Sequence, residues 1–223
     1  MANVTRYSAA NLLPELKVDT AKWNRIPSEK EIASTTKAVE ARGIAVSRAR
    51  DGRQALEKIR EIIPSGAEVM NGSSTTLIEI GYQELMDSGR HNWSDLHKIV
   101  FSEDDAKKRA EIRRKSVTAE YFLSGVNAIA QTGEIVGCDG VGSRVGAWPF
   151  ATKNLILVSG VNKIVPTLQD ALLRISEYVF PLEDARSKKV YGVPGLIGKW
   201  VIIAGERQPG RINLILVDEV LGY

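Results

Sequence analysis

Polar segments with helical signals alternate with short apolar segments along most of the chain. The clearest helical segment follows Asp51, where Leu56, Ile59 and Ile63 recur at the spacing of one helix face. Apolar stretches between the helical segments predict strands at residues 44–49, 68–70, 98–101 and 154–160. The last of these is continuously apolar, which is typical of a strand buried on both faces. The alternation predicts an α/β fold, a three-layer open sheet with largely parallel strands.

The second half of the chain is richer in predicted strands. Residues 120–140 predict strands joined by a tight turn at 131–133. Residues 200–223 predict a C-terminal β-hairpin with its turn at 208–210. An amphipathic segment between these regions, residues 167–179, predicts a helix.

The boundaries of the domain follow from helix signals near the start of the chain. Residues 1–27 show weak periodicity and predict an N-terminal arm. Ser28 and Glu31 then have the spacing of a capping box, which predicts the first helix of the domain. No repeat, low-complexity tract or linker divides the remainder, so residues 28–223 predict one α/β domain.

Composition and charge exclude several classes of partner. The chain is 43% hydrophobic and 26% charged, as in ordinary globular proteins. Its net charge of +3 is small and mixed, so we expect no nucleic-acid partner. No run approaches the ~20 apolar residues of a membrane span, and the N-terminus lacks the apolar core of a secretory signal. We therefore expect a cytoplasmic protein without a membrane partner.

The single cysteine, Cys138, limits redox and metal chemistry. It excludes an internal disulfide and any zinc or iron–sulfur site built from thiolates of this chain alone. We expect no bound metal and no cofactor. The sequence does not decide between a monomer and an oligomer.

Three polar clusters follow predicted strands, where ligands of open α/β sheets gather. The clusters are the turn Gly72, Ser73, Ser74 and Thr75; the segment Asp139, Gly140, Gly142 and Arg144; and the segment Gly160, Asn162 and Lys163. Each has an ordinary structural explanation, but their common position at strand ends favours one pocket. We expect this pocket to take a small anionic metabolite.

Each cluster supports two interpretations. Free N–H groups at the start of a helix after Gly72 favour an anion, but the same serines and threonines are ordinary helix caps. Asp139 and Arg144 either face a ligand or pair with each other on the surface. Lys163 is either a partner for phosphate or carboxylate or a solvated side chain. The glycine spacing after Asp139 does not fit the dinucleotide motif.

Four segments, in this order and spacing, resemble one protein family: residues 71–81, 120–150, 156–165 and 210–223. They resemble the LUD domain family, which includes lactate-utilisation proteins of the LutC and YkgG type. The resemblance runs from about Ser28 to Tyr223. It implies a fold like that of ribose-5-phosphate isomerase, NagB-type deaminases and CoA transferases. It also implies a role in lactate oxidation beside iron–sulfur oxidoreductase partner proteins.

The resemblance also implies site residues. By position, the family's site segments match the three polar clusters and add Asn127. With Asn127 and Asn162 orienting the ligand, we expect Asp139, Arg144 and Lys163 to meet in one cleft. The chain departs from the family in three ways, and the first is that Cys138 and Ser143 stand where valine and asparagine are more usual. Residues 184–206 lack the cysteines that many members carry, and Glu120 stands where the family often has aspartate.

Three functions are compatible with these observations. The first is a LUD domain protein that supports oxidation of lactate or a related small hydroxy acid. The second is a stand-alone isomerase or transferase on a small phosphorylated or carboxylated metabolite, with Asp139 or Glu120 as acid or base and Lys163 as an electrostatic clamp. The third is a ligand sensor without turnover. The sequence does not establish whether the protein is an enzyme.

We expect the purified protein to be colourless and to contain no stoichiometric iron or zinc, because one cysteine cannot ligate a cluster. Elemental analysis is the measurement. About one metal ion per chain would contradict the expectation.

Overall fold

The computed structural model describes residues 16–223, and they form two sheets surrounded by helices. The ten strands are β1 Ala45–Ala49, β2 Glu68–Asn71, β3 Ser94–Asp95, β4 Tyr121–Gly125, β5 Ala128–Ala130, β6 Ile135–Asp139, β7 Asn154–Gly160, β8 Ile164–Val165, β9 Lys199–Ile203 and β10 Ile212–Val217. Six of them form the main sheet in the order β1-β10-β7-β4-β2-β3, and every pair is parallel. This confirms the predicted α/β class with a largely parallel sheet.

The helices mostly connect successive strands. They are α1 Thr20–Trp23, α2 Glu29–Glu40, α3 Gly52–Ile62, α4 Thr75–Glu79, α5 Tyr82–Ser88, α6 Leu96–Phe101, α7 Ala106–Ser116, α8 Ser143–Gly146, α9 Leu168–Arg174 and α10 Phe180–Tyr191. A π-helical turn continues α8 over Ala147–Ala151, and another, Ile175–Val179, joins α9 to α10. A 3₁₀ turn, Val161–Lys163, follows β7. No helix within residues 16–223 is long and apolar enough to cross a bilayer.

The second sheet has the order β8-β5-β6-β9 and corrects the C-terminal prediction. The turn at residues 208–210 is present, and the backbone N–H of Arg211 donates to Gln208 O across it. The strands on either side do not pair with each other. β9 pairs antiparallel with β6, whereas β10 lies between β1 and β7 in the main sheet. Residues 200–223 therefore contribute two strands to two sheets and form no hairpin.

The main sheet is buried on both faces, which explains the continuous apolar runs of its strands. On β7, Leu155 and Leu157 face a core that includes α2 and the small sheet. Ile156 and Val158 face the opposite core, which includes α3 and α5. A third core lies between the small sheet and α9 and α10.

The helix boundaries follow the capping signals in the sequence. The Ser28–Glu31 capping box is present, and Asp51 caps α3 by accepting from the backbone N–H of Gln54.

The predicted strand at residues 98–101 is wrong, because this stretch forms the end of α6. Asp95 caps that helix by accepting from the backbone N–H of Lys98 at 2.9 Å. A run of four residues is too short for periodicity to distinguish a helix from a strand.

Part of the predicted arm packs against the domain. Trp23 is buried in the third core, and its backbone oxygen accepts a hydrogen bond from Arg174. Asn24 accepts from Asn162 at 2.7 Å. The first fifteen residues of the arm lie outside the described residues, and the domain boundary at residue 27 stays a prediction.

We expect Gly160→Ala to lower the free energy of unfolding by about 1–3 kcal/mol, the range of overpacked interiors. A methyl group there would lie 2.5 Å from Glu219 O and 2.8 Å from Leu221 N, which are backbone atoms. Gly146→Ala is the matched control, because nothing lies within 4 Å of its added carbon. In urea unfolding, the control should be neutral or slightly stabilising. Equal effects of the two substitutions would contradict the assignment of Gly160 to close packing.

Candidate functional site

A cavity of about 550 Å³ lies at the carboxyl ends of the central parallel strands. Segments that follow β2, β4 and β7 line it, together with the end of β6 from the small sheet. Nine of the thirteen predicted site residues line this cavity: Gly72, Ser73, Ser74, Thr75, Asn127, Asp139, Gly140, Arg144 and Lys163. The other four lie outside the lining: Gly142, Gly160, Asn162 and Glu120.

The hydroxyl-rich turn after β2 forms one wall. The backbone N–H of Gly72 donates to Leu123 O, which continues the pairing of β2 with β4. Ser74 caps α4 by accepting from the backbone N–H of Leu77 at 3.2 Å. Ser73 is exposed at the cavity, whereas Thr76 is buried behind it. The Ser74 hydroxyl therefore stabilises the helix start while its neighbours face the cavity.

Asp139 holds the turn at the end of β6. Its carboxylate accepts from the backbone N–H groups of Val141 and Arg144, at 3.0 and 2.8 Å. Burial raises the pKa of this carboxyl, but the Arg144 charge and the backbone donors outweigh burial and hold the pKa below its usual value. Asp139 therefore stays ionised and fixes the turn. This state does not suit a general acid.

Two arginines give the cavity positive charge. Arg144 donates from Nη2 to the backbone oxygen of Cys138, and Arg113 of α7 donates from Nη2 to Ser143 Oγ at 3.1 Å. The Arg113 Nε is buried and has no hydrogen-bond partner within residues 16–223. In the same part of the chain, neither guanidinium has a carboxylate within 4.0 Å. Both arginines are half-buried, so their charges are only partly screened by water.

Asn127 and Cys138 form a linked pair beside these arginines. Asn127 Oδ1 accepts from the backbone N–H of Cys138 at 2.8 Å, which assigns the amide orientation. Burial raises the pKa of the Cys138 thiol, and the Asp139 and Glu183 charges act in the same direction against Arg144. The raised pKa favours the thiol over the reactive thiolate.

Lys163 lies at the floor of the cavity and is 2% exposed. Its Nζ donates to Thr76 Oγ1 at 2.9 Å and to Val126 O at 3.0 Å. Burial lowers the pKa of this amine well below its usual value, and the Arg174 and Arg144 charges lower it further, while Glu79 opposes them. Lys163 is therefore not the solvated side chain that one of the two interpretations of the sequence expected.

Arg174 lies behind the floor and was not predicted from the sequence. It is fully buried and donates to two backbone oxygens, of Trp23 and Asn127. Burial lowers its pKa to about 10. A guanidinium remains protonated at neutral pH, so Arg174 adds buried positive charge behind the cavity.

The four predicted residues outside the lining have other roles in the structure. Asn162 donates to Asn24 and accepts from the backbone N–H of Leu221, so it joins the arm to the C-terminal segment. Gly160 allows that segment to approach closely. Gly142 has a φ of +103° within the turn that Asp139 holds. Glu120 precedes β4, at the opposite end of the sheet, and pairs with Lys153 at 3.2 Å.

The opposite wall and the rim of the cavity also went unpredicted. On the wall, Arg186 forms two hydrogen bonds with Glu183, at 2.8 and 2.7 Å, and the Tyr223 hydroxyl donates to the same carboxylate. Exposed apolar side chains surround the mouth: Phe101, Val141, Tyr191, Val193 and Leu196. Within residues 16–223, no three side chains of His, Cys, Asp or Glu cluster as a metal site requires.

We expect the stability of the wild-type protein to rise with pH relative to Lys163→Met. The pKa of Lys163 is lowered in the folded state, so between that pKa and about 10.5 the unfolded chain binds a proton that the folded chain does not. The wild type should gain up to about 1.4 kcal/mol per pH unit in this window. Urea unfolding of both proteins at about pH 8 and about pH 10 measures the difference. A difference independent of pH would contradict the lowered pKa.

A crystal structure of a DUF162 family protein from Deinococcus radiodurans aligns with a TM-score of 0.49 and 12% identity, covering 86% of this chain and 99% of that one. No curated protein matches the sequence. The sequence profile of the LUD domain matches residues 32–222. Because this match spans most of its length, the chain belongs to the LUD domain family.

Proposed function

We propose that this LUD domain protein binds lactate or a related small hydroxy acid in the cavity and thereby supports its oxidation. The observation that carries the proposal is the pair of half-buried arginines, Arg113 and Arg144, which line the cavity without a carboxylate within 4.0 Å in the described chain. A guanidinium matches a carboxylate in shape and charge. The buried positive charge of Arg174 also favours an anionic ligand.

Neutral polar groups in the cavity suit the hydroxyl of such a ligand. The Asn127 Oδ1 is occupied by the Cys138 N–H, and its Nδ2 has no hydrogen-bond partner within residues 16–223. The hydroxyls of Ser73 and Thr75 line the same cavity and both donate and accept. A hydroxy acid would place its carboxylate at the arginines and its hydroxyl among these groups.

Oxidation of a hydroxy acid releases two electrons and therefore requires an acceptor. One cysteine in the sequence cannot form an internal dithiol–disulfide couple. We therefore propose that an oxidoreductase partner, of the iron–sulfur kind that the family resemblance implies, receives the electrons. The exposed apolar rim around the mouth is compatible with a partner at this face.

A phosphorylated metabolite is the second candidate ligand, and the turn after β2 favours it. Gly72 and the hydroxyls of Ser73 and Thr75 lie at the cavity wall, and serine and threonine hydroxyls at such turns often bind phosphate. This ligand would suit an isomerase, a transferase or a sensor. Titration of one protein sample with L-lactate and with a sugar phosphate distinguishes the two candidates.

We expect Arg113→Gln to weaken L-lactate binding by about 1.5–3 kcal/mol, the range of a lost charge-assisted hydrogen bond, or roughly 10- to 150-fold in Kd. Arg114→Gln is the matched control, because Arg114 lies on the same helix, is exposed and does not line the cavity. Titration calorimetry measures both. The proposal fails if the wild type does not bind lactate, or if the two variants lose affinity equally.

A further inference from the structure

The Lys163 amine has the hydrogen-bond environment of a neutral amine. A neutral amine has two N–H groups and one lone pair, whereas an ammonium has three donors and no lone pair. The structure gives Nζ two acceptors, Thr76 Oγ1 at 2.9 Å and Val126 O at 3.0 Å, and both are uncharged oxygens. A neutral amine would use both of its N–H groups in these two bonds, and its lone pair would remain unused by them.

The surroundings of the amine disfavour the protonated form. Lys163 is 2% exposed, so an ammonium there would lose nearly all its hydration. The positive charges of Arg174 and Arg144 repel a further positive charge on this amine. Glu79 acts in the opposite direction and also accepts from the backbone N–H of Gly222 at 2.8 Å. The balance lowers the pKa of the amine well below its usual value.

The amine and the anion-binding groups share one cavity. Lys163, Asn127, Arg113 and Arg144 all line it. A neutral buried amine is a nucleophile toward carbonyl carbon, and neighbouring cations are a known way to activate it. The ligand that uses both features carries a carbonyl group next to a carboxylate. A 2-oxo acid has this structure, and it is also the product of oxidising a 2-hydroxy acid.

We propose that Lys163 forms an imine with a 2-oxo acid whose carboxylate is held by the cavity arginines. The proposal rests on the hydroxy-acid function proposed above and names the product side of that reaction. The Nζ lone pair forms a bond to the carbonyl carbon while the π pair moves to oxygen. A proton passes from nitrogen to that oxygen and gives a carbinolamine. Loss of water breaks the C–O bond and leaves the C=N double bond, with no oxidant or reductant required.

The test is reductive trapping on the wild-type protein. Pyruvate is the probe, and cyanoborohydride supplies the hydride that reduces the imine to a stable secondary amine. Peptide mass spectrometry then locates the adduct. We expect Lys163 to be modified at least about tenfold more than any exposed lysine, because the neutral amine is the reactive form. Modification confined to exposed lysines would overturn the proposal, and this result requires no variant.

Two variants make the test specific. Lys163→Met should abolish the dominant adduct. Lys199→Met should retain it, because Lys199 is exposed near the cavity and its Nζ donates to Gly140 O at 3.3 Å. Arg144→Gln should reduce trapping by pyruvate more than trapping by acetone, which has the carbonyl without the carboxylate. Equal reduction of both would overturn the 2-oxo acid as the ligand class.

Calorimetry with L-lactate on the same sample separates this inference from the proposed function. Lactate binding without an adduct on Lys163 overturns the imine and leaves the hydroxy-acid function intact. A pyruvate adduct on Lys163 without lactate binding overturns the hydroxy-acid function and supports the imine.

Discussion

The hydrogen bonds of the Lys163 amine join the ends of three neighbouring strands. Lys163 follows β7, Thr76 lies in the helix after β2, and Val126 follows β4. These strands are adjacent in the main sheet, so one buried amine fixes the relative positions of the segments that form the cavity floor. An apolar side chain could fill this volume but could not satisfy the two oxygens, and buried oxygens without donors are costly. In the protein without a ligand, the cavity floor depends on this contact.

The buried positive charge of Arg174, behind the cavity floor, helps to lower the pKa of the Lys163 amine. Arg174 donates from Nε and Nη1 to backbone oxygens of Trp23 and Asn127, and its buried Nη2 has no hydrogen-bond partner within residues 16–223. Carbonyl dipoles stabilise the guanidinium without cancelling its charge, so its field reaches the cavity. The arm takes part in this arrangement through Trp23. A protein that held Arg174 with a carboxylate would have a less positive cavity and a more basic lysine.

Much of the fold could be predicted from the sequence because its signals are local. The capping box at Ser28 and the Asp51 cap are confirmed at those residues. The prediction of a C-terminal hairpin was wrong because the turn at residues 208–210 does not determine which strands the segments before and after it pair with. β10 is apolar enough to lie inside the main sheet, between β1 and β7, and in that position it cannot pair with β9. Pairing of this kind depends on contacts distant in sequence.

The candidate site was predictable only in part. Glycines and hydroxyls after strands mark a pocket, because parallel strands bring their carboxyl ends to one edge. Arg113 could not be recognised, since it lies in α7, where seven of the eleven residues are basic or acidic. In the sequence, Arg174 looks like any arginine on an amphipathic helix, and its burial beside the third core could not be predicted. Asn162 and Gly160 carry the expected residue types at a strand end, but close packing of the C-terminal segment uses them instead.

The most direct test of this account is the protonation state of Lys163 itself. An NMR titration of the side-chain Cε and Nζ signals, assigned with Lys163→Met, reports the pKa of this one amine in the folded protein. The account predicts a value well below the 10.5 of an ordinary lysine, with the exposed lysines near that ordinary value. A Lys163 pKa indistinguishable from that of the exposed lysines would contradict it.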